Sequence, residues 1–426
     1  MGKKFKAMRG THDLLPDEAW LWRGIESVFV NLCRRYGYRE IRVPVFEATE
    51  LFERGTGFGT DIVQKEMYTF PDKKGRSLSL RPEGTPSVIR AYLEHGLSRQ
   101  AGVAKLFYMG PMFRYDKPGA GRYRQFHQLG VEVIGTLSPQ ADVETIMLLW
   151  DFLKGINLRD VGLRLNTLGC SDCRTKYSDV VREYLKGRLP ELCEDCHDRF
   201  RRNPLRVLDC KNADCKEVVS GAPSIDAVLD KECVAHFDEV KRHLELAGID
   251  FTVDSKLVRG LDYYTRTVYE VFHRATGADN SLGGGGRYDE LVEELGGPST
   301  PAVGFSAGLE RIVLALAAEA PVADQEPYID VYVASIDETS FDYAFELARE
   351  LRKDFRVWLE FESRRPQKQL ASASRMGATY TAILGEDEVK KGTVVFKHME
   401  SGVQAGVERA GAAGWLKSNL GGDKVE

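Results

Sequence analysis

Four consecutive glycines, Gly283–Gly286, stand inside the segment SLGGGGRYD, and they constrain this chain more than any other feature. A run without side chains lets a neighbouring backbone or a ligand approach closely and permits positive φ. Shortly before it, RGLDYYTRTVYE alternates aromatic and apolar residues like a strand, yet it carries Arg259, Asp262, Arg266 and the adjacent Tyr263 and Tyr264. Packing alone does not call for those charges. Strand-borne arginines beside a glycine floor suit a polyphosphate, because a guanidinium meets phosphate oxygens in a planar, bidentate way. Taken singly, each segment reads better as a strand, a glycine turn and surface arginines. Taken together they point to a phosphate-bearing ligand.

The 426 residues predict two or three domains. Hydrophobic residues at 43% and charged residues at 29% support ordinary cores. The net charge of −5 excludes a globally basic nucleic-acid binder, so any RNA contact must use local patches. No apolar run is long enough to span a bilayer, and the basic N-terminus MGKKFKAMRGTHDLLP has no apolar signal segment behind it. A cytoplasmic location and no membrane partner are expected.

Pro16–Tyr36 reads as an amphipathic helix closed by Gly37. In YREIRVPVFE, Ile41, Val43 and Val45 alternate like a half-buried strand, and Pro44 places that strand at an edge or a subunit seam. MYTFPDKKGRSLSLRPEGT reads as a hairpin around Asp72–Gly75, followed by a helix with Thr85 as N-cap and Pro86 in its first turn. Lys105–Met112 and Gln125–Ile134 read as strands joined by the basic loop DKPGAGRYR, and Pro139–Leu153 as a helix. Residues 170–235, rich in Cys, Asp, Arg and Lys, read as an inserted, mostly helical module. Phe251–Val271 returns to strand patterning, and Gly304–Ala318 reads as a glycine-led helix. AEAPVADQEP reads as a linker, and the α/β alternation after it has the size of an independent domain.

Three of these segments resemble the signatures of class II aminoacyl-tRNA synthetases: REIRVPVFE, PMFRYDKPGAGRYRQFHQLGVEVIG and GFSAGLERIVLAL. RPEGT, RGLDYYTRTVYE and GGGGRYD resemble the histidyl branch, and the resemblance covers nearly the whole chain. It implies an α+β fold, an antiparallel sheet flanked by helices, with a helical insertion and a C-terminal α/β anticodon-binding domain. The implied boundaries are residues 1–325 for the catalytic domain, interrupted at about 170–235, and 327–426 for the anticodon-binding domain. No GxGxxG follows a strand and no GxxxxGK[ST] occurs, in agreement.

The implied activity is ATP-dependent ligation of L-histidine to its cognate tRNA through a histidyl-adenylate, by a homodimer using ATP with Mg²⁺. Both attacking groups belong to the substrates, so the protein aligns them and stabilises developing negative charge. By resemblance, Arg114 and Arg259 grip the α-phosphate, Arg311 meets the outer phosphates, and Arg122 and Arg124 touch phosphates or the tRNA acceptor end. Glu83, Thr85 and Gln128 surround the α-amino group; Glu132 and Tyr264, with Tyr263 beside it, surround the imidazole. Thr85 reads equally as a helix cap, Glu83 as a first-turn carboxylate, Tyr264 as a core aromatic, and the loop arginines as solvated. A non-charging paralogue serving as a histidine-binding regulatory subunit of histidine biosynthesis is the alternative. It fits less well, since the arginines, both histidine-specific segments and the C-terminal block are all kept.

Six of the eight cysteines lie between Cys170 and Cys215. In a cytosolic chain such clustering points to metal before disulfides. The CxxC pairs Cys170/Cys173 and Cys193/Cys196 are the first candidates for a structural Zn²⁺, and the third pair, Cys210 and Cys215, could replace either. Reduced thiols acting as small apolar residues are the plainer reading.

Overall fold

The computed structural model describes residues 5–99, 102–275, 281–319, 329–361 and 365–420, and every structural statement concerns these. Most of the stretch read as a linker, from residue 320 on, lies outside them. The chain divides into two compact units, residues 1–322 and 323–426.

In the first unit, α1 (Pro16–Arg35) starts with Pro16 in its first turn and buries Trp22, Ile25, Phe29 and Cys33 along one face. Next come β1 (Arg39–Glu40), β2 (Phe46–Ala48) and α2 (Thr49–Thr56). The hairpin β3 (Thr69–Pro71) and β4 (Ser77–Leu80) precedes α3 (Thr85–Glu94). Then follow β5 (Ala104–Phe113), β6 (Gln125–Ile134), α4 (Pro139–Gly155) and β7 (Val161–Thr167). The inserted segment supplies α5 (Ser171–Lys186), α6 (Glu194–Arg202) and α7 (Ala213–Ser220), and α8 (Lys231–Leu246) returns to the sheet. The unit ends with β8 (Thr252–Val253), β9 (Thr265–His273), β10 (Ser281–Arg287), α9 (Leu291–Glu294), β11 (Ala302–Gly308) and α10 (Leu309–Glu319).

Eight strands form one sheet in the order β1-β5-β6-β11-β10-β9-β7-β8. The six inner strands are antiparallel, and only the two-residue edge strands β1 and β8 pair in parallel. Period-two alternation divides its side chains between two cores. Phe107, Leu129, Val131 and Val133 pack with residues of α1, α4, α8 and α10. Leu106, Tyr108 and Ile134 pack with α3 and the inserted helices.

The glycine run is a strand, not a turn. β10 lies between β9 and β11, and a Cβ on Gly285 would sit 1.9 Å from the Gly304 carbonyl oxygen. Residues 259–264 are not a strand: β9 begins only at Thr265, so Arg259 is carried by the loop that feeds it. That loop has no ladder partner, and side chains satisfy its carbonyls. Arg206 Nη1 donates to Arg259 O at 2.9 Å, and Arg174 Nη1 donates to the carbonyls of Asp262 and Tyr264 at 2.8 Å.

Other expectations change in the same way. The strand at 39–45 shrinks to Arg39–Glu40, because Pro44 lacks a donor and the chain turns away to form β2. Gly84, not Thr85, caps α3; Thr85 is the first helical residue, and its hydroxyl donates instead to Glu132. Gly304 lies in β11, and the helix starts at Leu309, so this segment is a strand turning into a helix. Arg287 does not face a ligand. It is fully buried and pairs with buried Asp142, while its Nη1 donates to Thr136 O at 2.8 Å. Arg266 occupies the left-handed region at φ 46° beside a β-bulge, with its guanidinium 3.6 Å from Asp289.

In the second unit, β12 (Val331–Ser335), α11 (Phe341–Leu351), β13 (Val357–Leu359), α12 (Pro366–Arg375), β14 (Tyr380–Leu384) and α13 (Glu386–Lys391) alternate before β15 (Thr393–His398), β16 (Gln404–Glu408) and α14 (Ala412–Leu420). The sheet order is β13-β12-β14-β15-β16, parallel across the first three strands and antiparallel beyond. β12 is buried throughout, as a strand covered on both faces must be. Among the described residues no helix is long and apolar enough to cross a membrane.

Candidate active site

A cleft opens in the first unit above the ends of β5, β6, β10 and β11. Arg114, Arg122, Arg259 and Arg311 all line it. Arg114, just past β5, is steadied by its Nε donating to Pro82 O at 2.9 Å and by the Phe126 ring 5.3 Å away. Arg259 reaches in from its loop, with Nη1 2.7 Å from Glu270 Oε2 on β9 and Nε without a partner. A Cβ on Gly284 would come within 3.0 Å of this guanidinium, so the side-chain-free strand makes room for it. Arg311, in the first turn of α10, donates to Ser281 O at 2.9 Å. Burial, with Arg122, Arg114 and Arg259 nearby, holds the Arg311 guanidinium below its ordinary pKa. Such a surplus of positive charge suits a polyanion.

Arg122 is exposed and lies 3.8 Å from Asp116. Arg124 is not among the side chains lining the cleft: its guanidinium stacks 3.9 Å over the Tyr115 ring.

Beneath the arginines lies a second layer of opposite sign. Glu83, Thr85, Gln128, Glu132, Tyr263 and Tyr264 are all buried there. Glu83 accepts from the Thr56 hydroxyl at 2.6 Å and the Tyr263 hydroxyl at 2.9 Å. Glu132 accepts from the Thr85 hydroxyl at 2.7 Å and from the Tyr288 hydroxyl. Among the described residues no basic side chain forms a salt bridge with either glutamate. Burial pushes the Glu132 carboxyl up to about 8 despite the hydrogen bonds from Tyr288 and Thr85, and the Glu83 charge adds to the rise. Burial also raises Glu83. Gln128 and Tyr264 border the cleft itself, and the Gln128 carbonyl oxygen has no partner. Two buried carboxylates and an orphaned acceptor together call for a cationic donor group.

Two further groups shape this site. Glu270 and Tyr288 lie inside the two signature segments, where strand alternation could have aimed them at Arg259 and Glu132. Arg174, Asn203 and Arg206 come from the insertion, and no sequence signal ties them to a loop more than fifty residues away. The four first-choice zinc ligands do not meet. Cys170 and Cys173 join Asp230 and Cys233, whereas Cys193 and Cys196 join Cys210 and Cys215, because the two CxxC pairs start different helices.

The family model for histidyl-tRNA synthetase matches residues 10–312 of the chain. The chain belongs to the histidyl-tRNA synthetase family. A second model, an anticodon-binding domain, matches residues 330–419. The histidine–tRNA ligase of Pelotomaculum thermopropionicum is 47% identical over 417 residues, covering 98% of both chains. That of Thermotoga maritima is 46% identical, covering 99% of this chain and all of its own. Among solved structures, the apo histidyl-tRNA synthetase of S. aureus matches with a TM-score of 0.82 at 34% identity, over 97% of this chain and 100% of that one. A Bacillus halodurans protein described as an ATP phosphoribosyltransferase regulatory subunit/histidyl-tRNA synthetase matches at 23% identity with a TM-score of 0.68, a likeness of fold alone.

Proposed function

We propose that this chain ligates L-histidine to its cognate tRNA in two steps, with the arginine cleft taking ATP and the acidic pocket beneath it taking histidine. The observation that carries the reading is the buried pair Glu83 and Glu132, neither in a salt bridge among the described residues, below a cleft lined by Arg114, Arg122, Arg259 and Arg311. Histidine brings an ammonium and an imidazole to the former, and ATP brings phosphates to the latter. Glu83, Thr85 and Gln128 receive the α-ammonium; Glu132, Tyr263 and Tyr264 surround the ring. A pocket built of hydrogen-bonding groups rejects apolar side chains by leaving its own groups unpaired, by roughly 10⁴-fold or more.

In the first step a carboxylate oxygen of histidine bonds to the α-phosphorus as the bond to the bridging oxygen of pyrophosphate breaks. Arg114 and Arg259 stabilise the charge that builds on the α-phosphate, Arg122 and Arg311 hold the outer phosphates, and Arg124, outside the cleft lining, is left the tRNA acceptor end. Arg259 is the main transition-state cation, since Glu270 fixes one of its nitrogens and leaves Nε free. In the second step a terminal ribose hydroxyl of the tRNA attacks the acyl carbon and AMP leaves. Glu66 and Asp116 line the cleft, and burial raises the Glu66 carboxyl with Asp116 adding to the rise. These hard oxygen donors fit Mg²⁺, which would neutralise phosphate charge there.

Residues 327–426 serve as the tRNA-binding domain and 1–325 as the catalytic domain, with the chain acting as a cytoplasmic homodimer. The short edge strand β1, Pro44, and the exposed Val45, Phe46 and Phe70 support a subunit seam. The test is charging of histidine tRNA with labelled histidine. The full chain should charge it, and a chain ending near residue 320 should form adenylate but charge poorly. Histidine binding without charging by the full chain would favour the regulatory alternative.

A further inference from the structure

Seven of the eight cysteines are gathered into two groups outside the active site. In each group four ligand atoms lie within 4.8 Å of one another: the sulfurs of Cys193, Cys196, Cys210 and Cys215, and those of Cys170, Cys173 and Cys233 with a carboxylate oxygen of Asp230. We propose that the insertion is a two-zinc module, with a four-thiolate site inside it and a three-thiolate, one-carboxylate site at its neck.

The distances suit a metal and not a disulfide. A tetrahedral Zn²⁺ with bonds of about 2.3 Å separates its sulfurs by about 3.8 Å, whereas a disulfide holds them at about 2.05 Å. Cys193 Sγ and Cys210 Sγ are 3.8 Å apart. With a shorter bond to oxygen, the sulfur–oxygen edge falls to about 3.5 Å. Asp230 Oδ2 lies 3.3 Å from both Cys170 Sγ and Cys173 Sγ. The neck group also holds an odd number of thiols, which disulfides cannot use up.

The backbone is arranged for thiolates. Cys193 N–H donates to Cys215 Sγ at 3.2 Å, Cys170 N–H to Cys233 Sγ at 3.1 Å, and Asp230 N–H to Cys173 Sγ at 3.3 Å. Outer-shell donors of this kind hold metal ligands in place. The ligands also share a local plan. Cys170 and Cys173 are the N-cap and third residue of α5, Cys193 and Cys196 those of α6, and Asp230 and Cys233 those of α8. Cys215 is the third residue of α7. Negative ligands therefore gather at positive helix ends. In the neck site two such helix starts face each other, one where the insertion leaves the sheet and one where it rejoins.

Both sites are closed by protein ligands, so their metal is structural. What they steady is the element that grips the catalytic loop. Arg174 follows Cys173 directly, and Asn203 and Arg206 lie between Cys196 and Cys210; these three side chains bind the loop at Arg259 and Asp262.

The test is elemental analysis of the full chain purified without chelator, with titration by a mercurial that releases thiolate-bound zinc. About two zinc per chain should be found and released. Cobalt substitution of the unmodified chain should give the intense visible bands of tetrahedral thiolate coordination. Cys210→Ser and Cys233→Ser should each lose about one equivalent, while Cys33→Ala keeps both. The cobalt and mercurial measurements need no variant, so a misfolded variant leaves the test intact. Less than about half an equivalent in the unmodified chain, with no cobalt bands, would overturn the proposal. A single equivalent would overturn the two-site form of it, as would variants that keep the full complement.

Discussion

Arg259 shows how much one side chain depends on residues that carry no charge. Gly284 leaves room beside its guanidinium, and Glu270 anchors it at 2.7 Å. Because its charge matters most as the α-phosphate accumulates negative charge, Arg259→Ala should slow adenylate formation by about 10²–10³-fold with little change in histidine affinity. Pyrophosphate exchange and equilibrium binding measured side by side check this; a variant with near-normal exchange would remove Arg259 from the mechanism. Glu132 yields a prediction with a defined sign. Its folded pKa, about 8, lies above the usual carboxylate range. Its contribution to the ligand-free chain's stability is therefore full at low pH and is lost as pH rises through about 8. Histidine favours the ionised form, so binding near neutral pH should release a proton. Calorimetry in buffers of different ionisation enthalpy should detect that release, and Glu132→Gln should abolish it; equal proton release by both proteins would contradict the assignment. These residues were legible because a cleft that binds phosphate needs arginines and one that binds a cation needs carboxylates. Arg287 and Arg266 lie in the same two segments but serve the fold, and a buried Arg–Asp pair and a bulge look identical to ligand arginines in one dimension.

At the scale of elements, periodicity read the regular parts well and the loop badly. α1, α4, β5 and β6 follow directly from apolar spacing, and the α/β alternation of the second unit does too. The loop at 259–264 has the residue types of a strand, but insertion side chains rather than neighbouring strands satisfy its carbonyls. Thr85 resembles a cap in sequence because its partner, Glu132, is 47 positions away. The insertion deserves its place in the catalytic account for the same reason: its side chains close the hydrogen bonds of a loop that has no ladder. Arg206→Ala frees the Arg259 carbonyl and lets the loop shift. A displacement of that kind costs up to about 10²-fold in rate, so kcat for exchange should fall, and KM for histidine should rise because Tyr263 and Tyr264 move with the loop. Unchanged kcat would show that the loop holds itself.

For the whole molecule, the seam at β1 predicts a two-fold dimer. Phe46 is 49% exposed beside Pro44, and the chain should sediment as a dimer that Phe46→Asp weakens. An active monomer at assay concentration would contradict this. One acidic, hydroxyl-lined pocket beneath an arginine cleft is proposed to select histidine and activate it. Amino-acid-dependent ATP–pyrophosphate exchange tests it most directly. Exchange should occur with histidine and stay at background with the other amino acids. Exchange supported equally by another amino acid, or firm histidine binding with no exchange at all, would contradict it.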